Sequence, residues 1–158
     1  MDTGLLITLL LLIHVGGAII GFGPTFAFAV LGPMAGKAGP NGGVAIMESI
    51  VAIEKRLVIP VAAITQPLTG LALIFVAGFA ADFFSHRWLW TALVIYGAAF
   101  YAAIFVQTPL TERMIALAKS GPPTPEFMAM AKRSQRIGPF ITLALVTIIV
   151  LMVTKPGG

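Results

Sequence analysis

Four stretches of the chain, residues 4–31, 57–81, 88–106 and 138–154, contain no charged side chain. Each is long enough to cross about 30 Å of hydrocarbon as a helix, which takes roughly 17 residues or more. Within them polar and apolar positions do not alternate as they do in a membrane strand, and a segment apolar on all sides must satisfy its backbone internally. The pattern predicts an all-α fold, a four-helix transmembrane bundle forming a single integral membrane domain over residues 1–158. Ala27-Phe28-Ala29 has the small-x-small form of a signal cleavage site, but the segment before it lacks a basic start and is too long for a signal core, so it is read as a span.

Between the spans the pattern changes. Residues 32–43 are rich in glycine and proline and read as a non-helical loop. From Val44 the pattern is helical again and runs into the second span. A helix over residues 44–79 would be about 54 Å long, so its first turns, bearing Glu48, Glu54, Lys55 and Arg56, are expected to extend into the cytoplasm or to bend at Pro60. The third loop predicts two short helices. Thr108-Pro109 reads as a cap with proline at the first position and Gly121 as the stop, and Thr124-Pro125-Glu126 repeats that opening. The second of these puts Phe127, Met130 and Ala131 on one side and ends in Lys132, Arg133 and Arg136, the form of an interfacial amphipathic helix.

Composition agrees with the pattern. Hydrophobic residues make up 58% of the chain and charged residues 10%, too few to keep a soluble surface wet. The ten basic residues form no polybasic arm, so nucleic acid is not an expected partner; the lipid bilayer is. With no cysteine, thiolate metal sites and disulfides are excluded. Charge placement predicts orientation instead. Lys37, Lys55, Arg56, Arg113, Lys119, Lys132, Arg133 and Arg136 lie in the first and third loops, and only Arg87 and Lys155 lie opposite. The positive-inside rule then puts those loops in the cytoplasm and both termini outside, as in a multi-pass protein of a cell membrane.

Polar residues at membrane depth are the candidates for chemistry. His14 lies roughly 15 Å along the first span and shares a helix face with Gly17, Ala18, Gly21 and Thr25. Two readings are open. The narrow face can admit a porphyrin edge with the imidazole as axial ligand, or Gly17 and Gly21 can be a helix-packing motif across which His14 hydrogen-bonds. Gln66 with Thr65 and Thr69 surrounds Pro67, which removes a backbone hydrogen bond. Lys55 and Arg56 can grip a carboxylate or serve as anchors at the end of a helix. His86 falls in the hairpin between spans two and three, beside Trp88 and Trp90 of an aromatic belt. No His-x-x-x-His and no carboxylate pair occurs within a span. All sixteen charges fall outside the uncharged runs, which leaves no ionised group expected in the interior.

The stretch Ile13-His14-Val15-Gly16-Gly17-Ala18-Ile19-Ile20-Gly21-Phe22-Gly23-Pro24-Thr25-Phe26 resembles the opening of a family of uncharacterised bacterial integral membrane proteins of about 150 residues. A first-span His followed by Glu54-Lys55-Arg56-Leu57, Pro60 and Leu68-Thr69-Gly70-Leu71 is more distantly similar to the HemJ-type protoporphyrinogen oxidases and the CopD-like membrane proteins. That similarity implies a b-type haem with His14 as its iron ligand and Lys55 and Arg56 near its carboxylates, in a redox or haem-related process. The oxidase family also has a His just after a Trp in span three, and Trp88-Leu89-Trp90 has none. The residues themselves equally suit a non-enzymatic assembly component, packing through the glycines of its first helix into a homo-oligomer or a larger membrane complex, or a small transporter using the break at Gln66 and Pro67.

Overall fold

The computed structural model describes residues 2–157. Among these there are four long helices and no strand: α1 (Thr3–Lys37), α2 (Gly39–Val76), α3 (Arg87–Ser120) and α4 (Pro125–Thr154). The all-α bundle with four helices apolar and long enough to cross a membrane is the architecture the uncharged runs predict. Consecutive helices pack antiparallel, and α1 and α2 also lie against each other along most of their length.

The helices are longer than the runs that announced them. At 35, 38, 34 and 30 residues they measure about 52, 57, 51 and 45 Å, against about 30 Å of hydrocarbon. The uncharged runs end at Leu31, begin at Leu57, end at Val106 and begin at Gly138, so the excess of all four helices lies at one end of the bundle. This basic end carries Lys37, Lys55, Arg56 and the cations of the former loops.

Two sequence expectations are corrected there. Residues 32–43 are not a loop: α1 continues through Gly32 and Pro33 to Lys37, the chain breaks only at Ala38, and α2 starts at Gly39. Glycine serves close approach in this hairpin, because a Cβ on Gly43 would stand 2.6 Å from the Ala35 carbonyl. The third loop holds no separate helices either. Thr108 has helical dihedrals and is not a cap, so the segment Thr108–Ser120 is the end of α3. Thr124 does cap α4, accepting from the Phe127 N–H at 3.2 Å, and α4 then runs unbroken to Thr154. Phe127, Met130 and Ala131 share one side of it, but that side packs on Met47, Leu110 and Met114 in the bundle.

Three apolar layers hold the bundle. Met47, Leu110 and Met114 form the layer at the basic end; Phe22, Ala62, Ile141, Leu145 and Ile148 form the middle one; Ile74, Trp88 and Leu89 close the end near the termini. Within the uncharged runs, in lipid, the last two rest on close packing, whereas the first lies beyond those runs.

Three wide π-helical turns interrupt the α-helical ladders, at Glu54–Val58, Val61–Thr65 and Ala102–Gln107. Each is followed by one residue and then a proline: Pro60, Pro67 and Pro109. A proline ring collides with the carbonyl four residues back, and widening the turn before it moves that carbonyl aside. The N–H groups of Ile59, Gln66 and Thr108 accordingly bond five residues back, to Glu54, Val61 and Ala103.

Candidate functional site

His14 sits against α2. Thr69 gives its single hydroxyl proton to the Thr65 carbonyl at 2.6 Å, so it accepts from His14 Nδ1 at 2.8 Å. Gln66, 5% exposed, donates through Nε2 to the His14 carbonyl at 2.8 Å. The structure thus joins two clusters the sequence held separate: His14 of α1 with Thr65, Gln66 and Thr69 of α2.

That arrangement leaves no bed for a haem. The tautomer frees Nε2 as a lone pair, which an axial ligand needs. The glycine face beside it, however, is filled by α2: a Cβ on Gly17 would stand 2.8 Å from Gln66 Nε2, and one on Gly21 2.6 Å from Val61 Cγ1. Lys55 and Arg56 lie ten or more residues from Gln66 on the same helix, about 15 Å away along its axis. Lys55 is engaged by Glu112 in an ion pair, and Arg56 is exposed. His86 bonds Asp82 at 3.1 Å and meets the Phe79 ring edge-on, in the hairpin between α2 and α3. Among the described residues no three His, Cys, Asp or Glu side chains cluster as metal ligands. The residues brought together therefore do not fit the haem site that the HemJ-like likeness implies.

The residue assigned no role of its own from the sequence is Glu54. It begins the first π-helical turn of α2 and points inward, 7% exposed, the one buried charged side chain among the described residues. Its expected place, wet and outside the interior, is corrected by its phase: Met47, Val51, Glu54 and Ala62 fall on one stripe of α2, and all are buried. Glu54 forms part of the wall of a cavity of about 40 Å³, with Phe22, Thr25, Tyr96 and Phe100. That volume exceeds the roughly 10–15 Å³ a water needs and is far below the roughly 300 Å³ of a cofactor pocket.

Two hydroxyls complete the site. Tyr96 of α3 donates to the Ala62 carbonyl, which the wide turn has released because Gln66 N–H bonds Val61 and residue 67 is a proline without an N–H. Thr108, near the Glu54 carboxyl, donates its hydroxyl to the Ala103 carbonyl at 2.9 Å, which already accepts the Thr108 N–H. Beside it Gln107 donates to Ser134 Oγ at 2.7 Å and keeps a buried Oε1 without a partner. The Glu54 carboxyl and the Tyr96 ring thus meet at a largely apolar cavity, and Pro67 contributes to it by freeing the Ala62 carbonyl that Tyr96 bonds.

The chain belongs to the family described as "Predicted integral membrane protein (DUF2269)", which matches residues 8–156. No curated protein and no solved structure matches it.

Proposed function

We propose that this family member handles protons in the membrane, with Glu54 taking up and releasing a proton in the course of transport. The observation that carries the proposal is the burial of that carboxyl side chain, 7% exposed, at the edge of a water-sized cavity. Ionisable groups turned into a membrane bundle are costly to keep, and they line ion and proton routes. Thr108 suits the exchange. With Glu54 ionised, the hydroxyl donates to the carboxylate. With Glu54 protonated, the carboxyl O–H donates to Thr108 Oγ1, whose own hydrogen turns to the Ala103 carbonyl. Neither state strands a buried group, because the Ala103 carbonyl keeps the Thr108 N–H throughout. Glu54 and Tyr96 both line the cavity, which is large enough to admit water when the proton moves.

Protein reconstituted into vesicles that enclose a pH-sensitive dye, with a potassium gradient and valinomycin as driving force, tests this. The expected result is proton flux above that of protein-free vesicles, reduced about tenfold or more by Glu54→Gln and less by Glu54→Asp. Flux no greater than in protein-free vesicles, or equal flux in Glu54→Gln, overturns the proposal.

The proposal includes the setting that the charge placement suggests: a bacterial inner membrane, the basic end in the cytoplasm and both termini outside. A second reading, a non-enzymatic assembly component, is favoured by the face of α1 turned away from α2. There a methyl group added to Gly16 or Gly23 would meet nothing within 4 Å, and Leu12 and Ile20 are exposed. It expects Gly23→Leu to dissociate an oligomer in cross-linking and sizing experiments while wild-type vesicles show no flux.

A further inference from the structure

The surface of the bundle carries a groove of about 820 Å³ between α3 and α4. Its floor is apolar, with Ala98, Ala102 and Val106 from α3 and Ile137 and Phe140 from α4, and the Tyr101 ring also lines it. Ala98, Ala102 and Val106 fall at offsets of four and eight, a single face about 12 Å long that lies inside the uncharged run 88–106. One end of the groove differs. Lys132, Arg133 and Arg136 line it, just before the uncharged run of α4 begins at Gly138.

These three cations are exposed and, among the described residues, have no carboxylate partner. Other cations of the same end are paired: Lys55 with Glu112, Arg113 with Glu126 and Lys119 with Glu48. Of the five cations of this end without such a partner, these three line the groove and Lys37 and Arg56 lie elsewhere, so the groove gathers most of the unpaired charge next to the uncharged run. Arginine presents a planar fork that matches phosphate oxygens. A free phosphate would leave the apolar floor unused, and a neutral lipid would leave the cations unused. One class of molecule uses both.

We infer that this groove binds an anionic glycerophospholipid as a seated ligand, its headgroup phosphate at Arg133 and Arg136 and an acyl chain on the floor between α3 and α4. The site lies on the outside of the bundle and is independent of Glu54, so it stands whether or not the protein moves protons.

Native mass spectrometry of the detergent-purified full chain tests it, with phosphatidylglycerol and phosphatidylcholine of identical acyl chains as probes and inorganic phosphate as competitor. Phosphatidylglycerol should be retained about tenfold or more tightly than phosphatidylcholine. Arg133→Gln with Arg136→Gln should bring it down to the phosphatidylcholine level, and Ala102→Trp, which fills the floor, should weaken both lipids. Inorganic phosphate should not displace the lipid. Equal retention of the two lipids, an unchanged preference in the arginine variant, or displacement by phosphate, which would mark a free-anion site, overturns the inference. The arginine side chains are exposed, and thermal melting followed by circular dichroism checks that the fold is kept; if the double variant melts early, Arg136→Gln alone must still lower the preference.

Discussion

A methyl group added to Gly21 would stand 2.6 Å from Val61 Cγ1, inside any real contact distance, while one added to Gly16 would meet nothing within 4 Å. Gly21→Leu should therefore destabilise the folded chain by about 1–3 kcal/mol in detergent unfolding, and Gly16→Leu should leave the midpoint where it is. Equal effects would mean that the close face of α1 has been misassigned. The sequence left the glycine stripe open between a cofactor edge and a packing motif; the fold uses it for packing within the chain. Glu54 was harder to see. It lies three residues before the uncharged run that starts at Leu57, so a search for charge-free spans puts it in the loop. Its helical phase with Met47, Val51 and Ala62 was the available signal, in a helix the pattern already predicts from Val44; what the sequence lacked was the neighbouring helices that bury that stripe.

At the scale of the element, proline determines where helices widen and side-chain hydroxyls repair what it breaks. Tyr96→Phe removes the donor to the Ala62 carbonyl, and the unsatisfied group should cost about 1–3 kcal/mol. In a Pro67→Ala background residue 67 regains an N–H within reach of that region of backbone, so the cost of Tyr96→Phe should fall by at least half. A double-mutant cycle on unfolding free energies measures this coupling, and strictly additive costs would contradict the link between the proline and the tyrosine. None of this was legible beyond the loss of a bond at Pro67. The Gly- and Pro-rich residues 32–43 and the Thr108-Pro109 pair read as punctuation because those residues end helices in isolation, whereas here neighbouring helices keep the chain helical by packing against it. Thr124 was legible because its cap sits at a true chain reversal with no helix to continue.

The whole molecule is a bundle of four helices each longer than about 30 Å of hydrocarbon requires, and the parts outside the uncharged runs are gathered at the basic end. Met114 anchors the apolar layer there together with Met47 and Leu110, so Met114→Ala should lower stability by about 2–4 kcal/mol, read by thermal unfolding; a loss below about 0.5 kcal/mol would show that this layer does not hold the projecting ends together. Orientation has a direct test because the chain has no cysteine of its own. A membrane-impermeant maleimide should label Ala81→Cys in intact cells and Gly36→Cys only after permeabilisation; the opposite pattern would invert the topology read from the charges. The number of long apolar helices was legible from the uncharged runs, because in lipid a long apolar segment has few alternatives to a helix. The Glu54 cavity was not, because it depends on which faces of the helices meet.

The central claim is that Glu54 exchanges a proton while buried in the bundle. Infrared difference spectroscopy of the protein in lipid, between alkaline and acidic buffer, reads the C=O stretch of a protonated carboxylic acid directly. We expect a band that grows on acidification, lies at the frequency of a carboxyl in apolar surroundings, is absent in Glu54→Gln and shifts in Thr108→Val. A spectrum in which Glu54→Gln leaves every protonated-carboxyl band unchanged would contradict it.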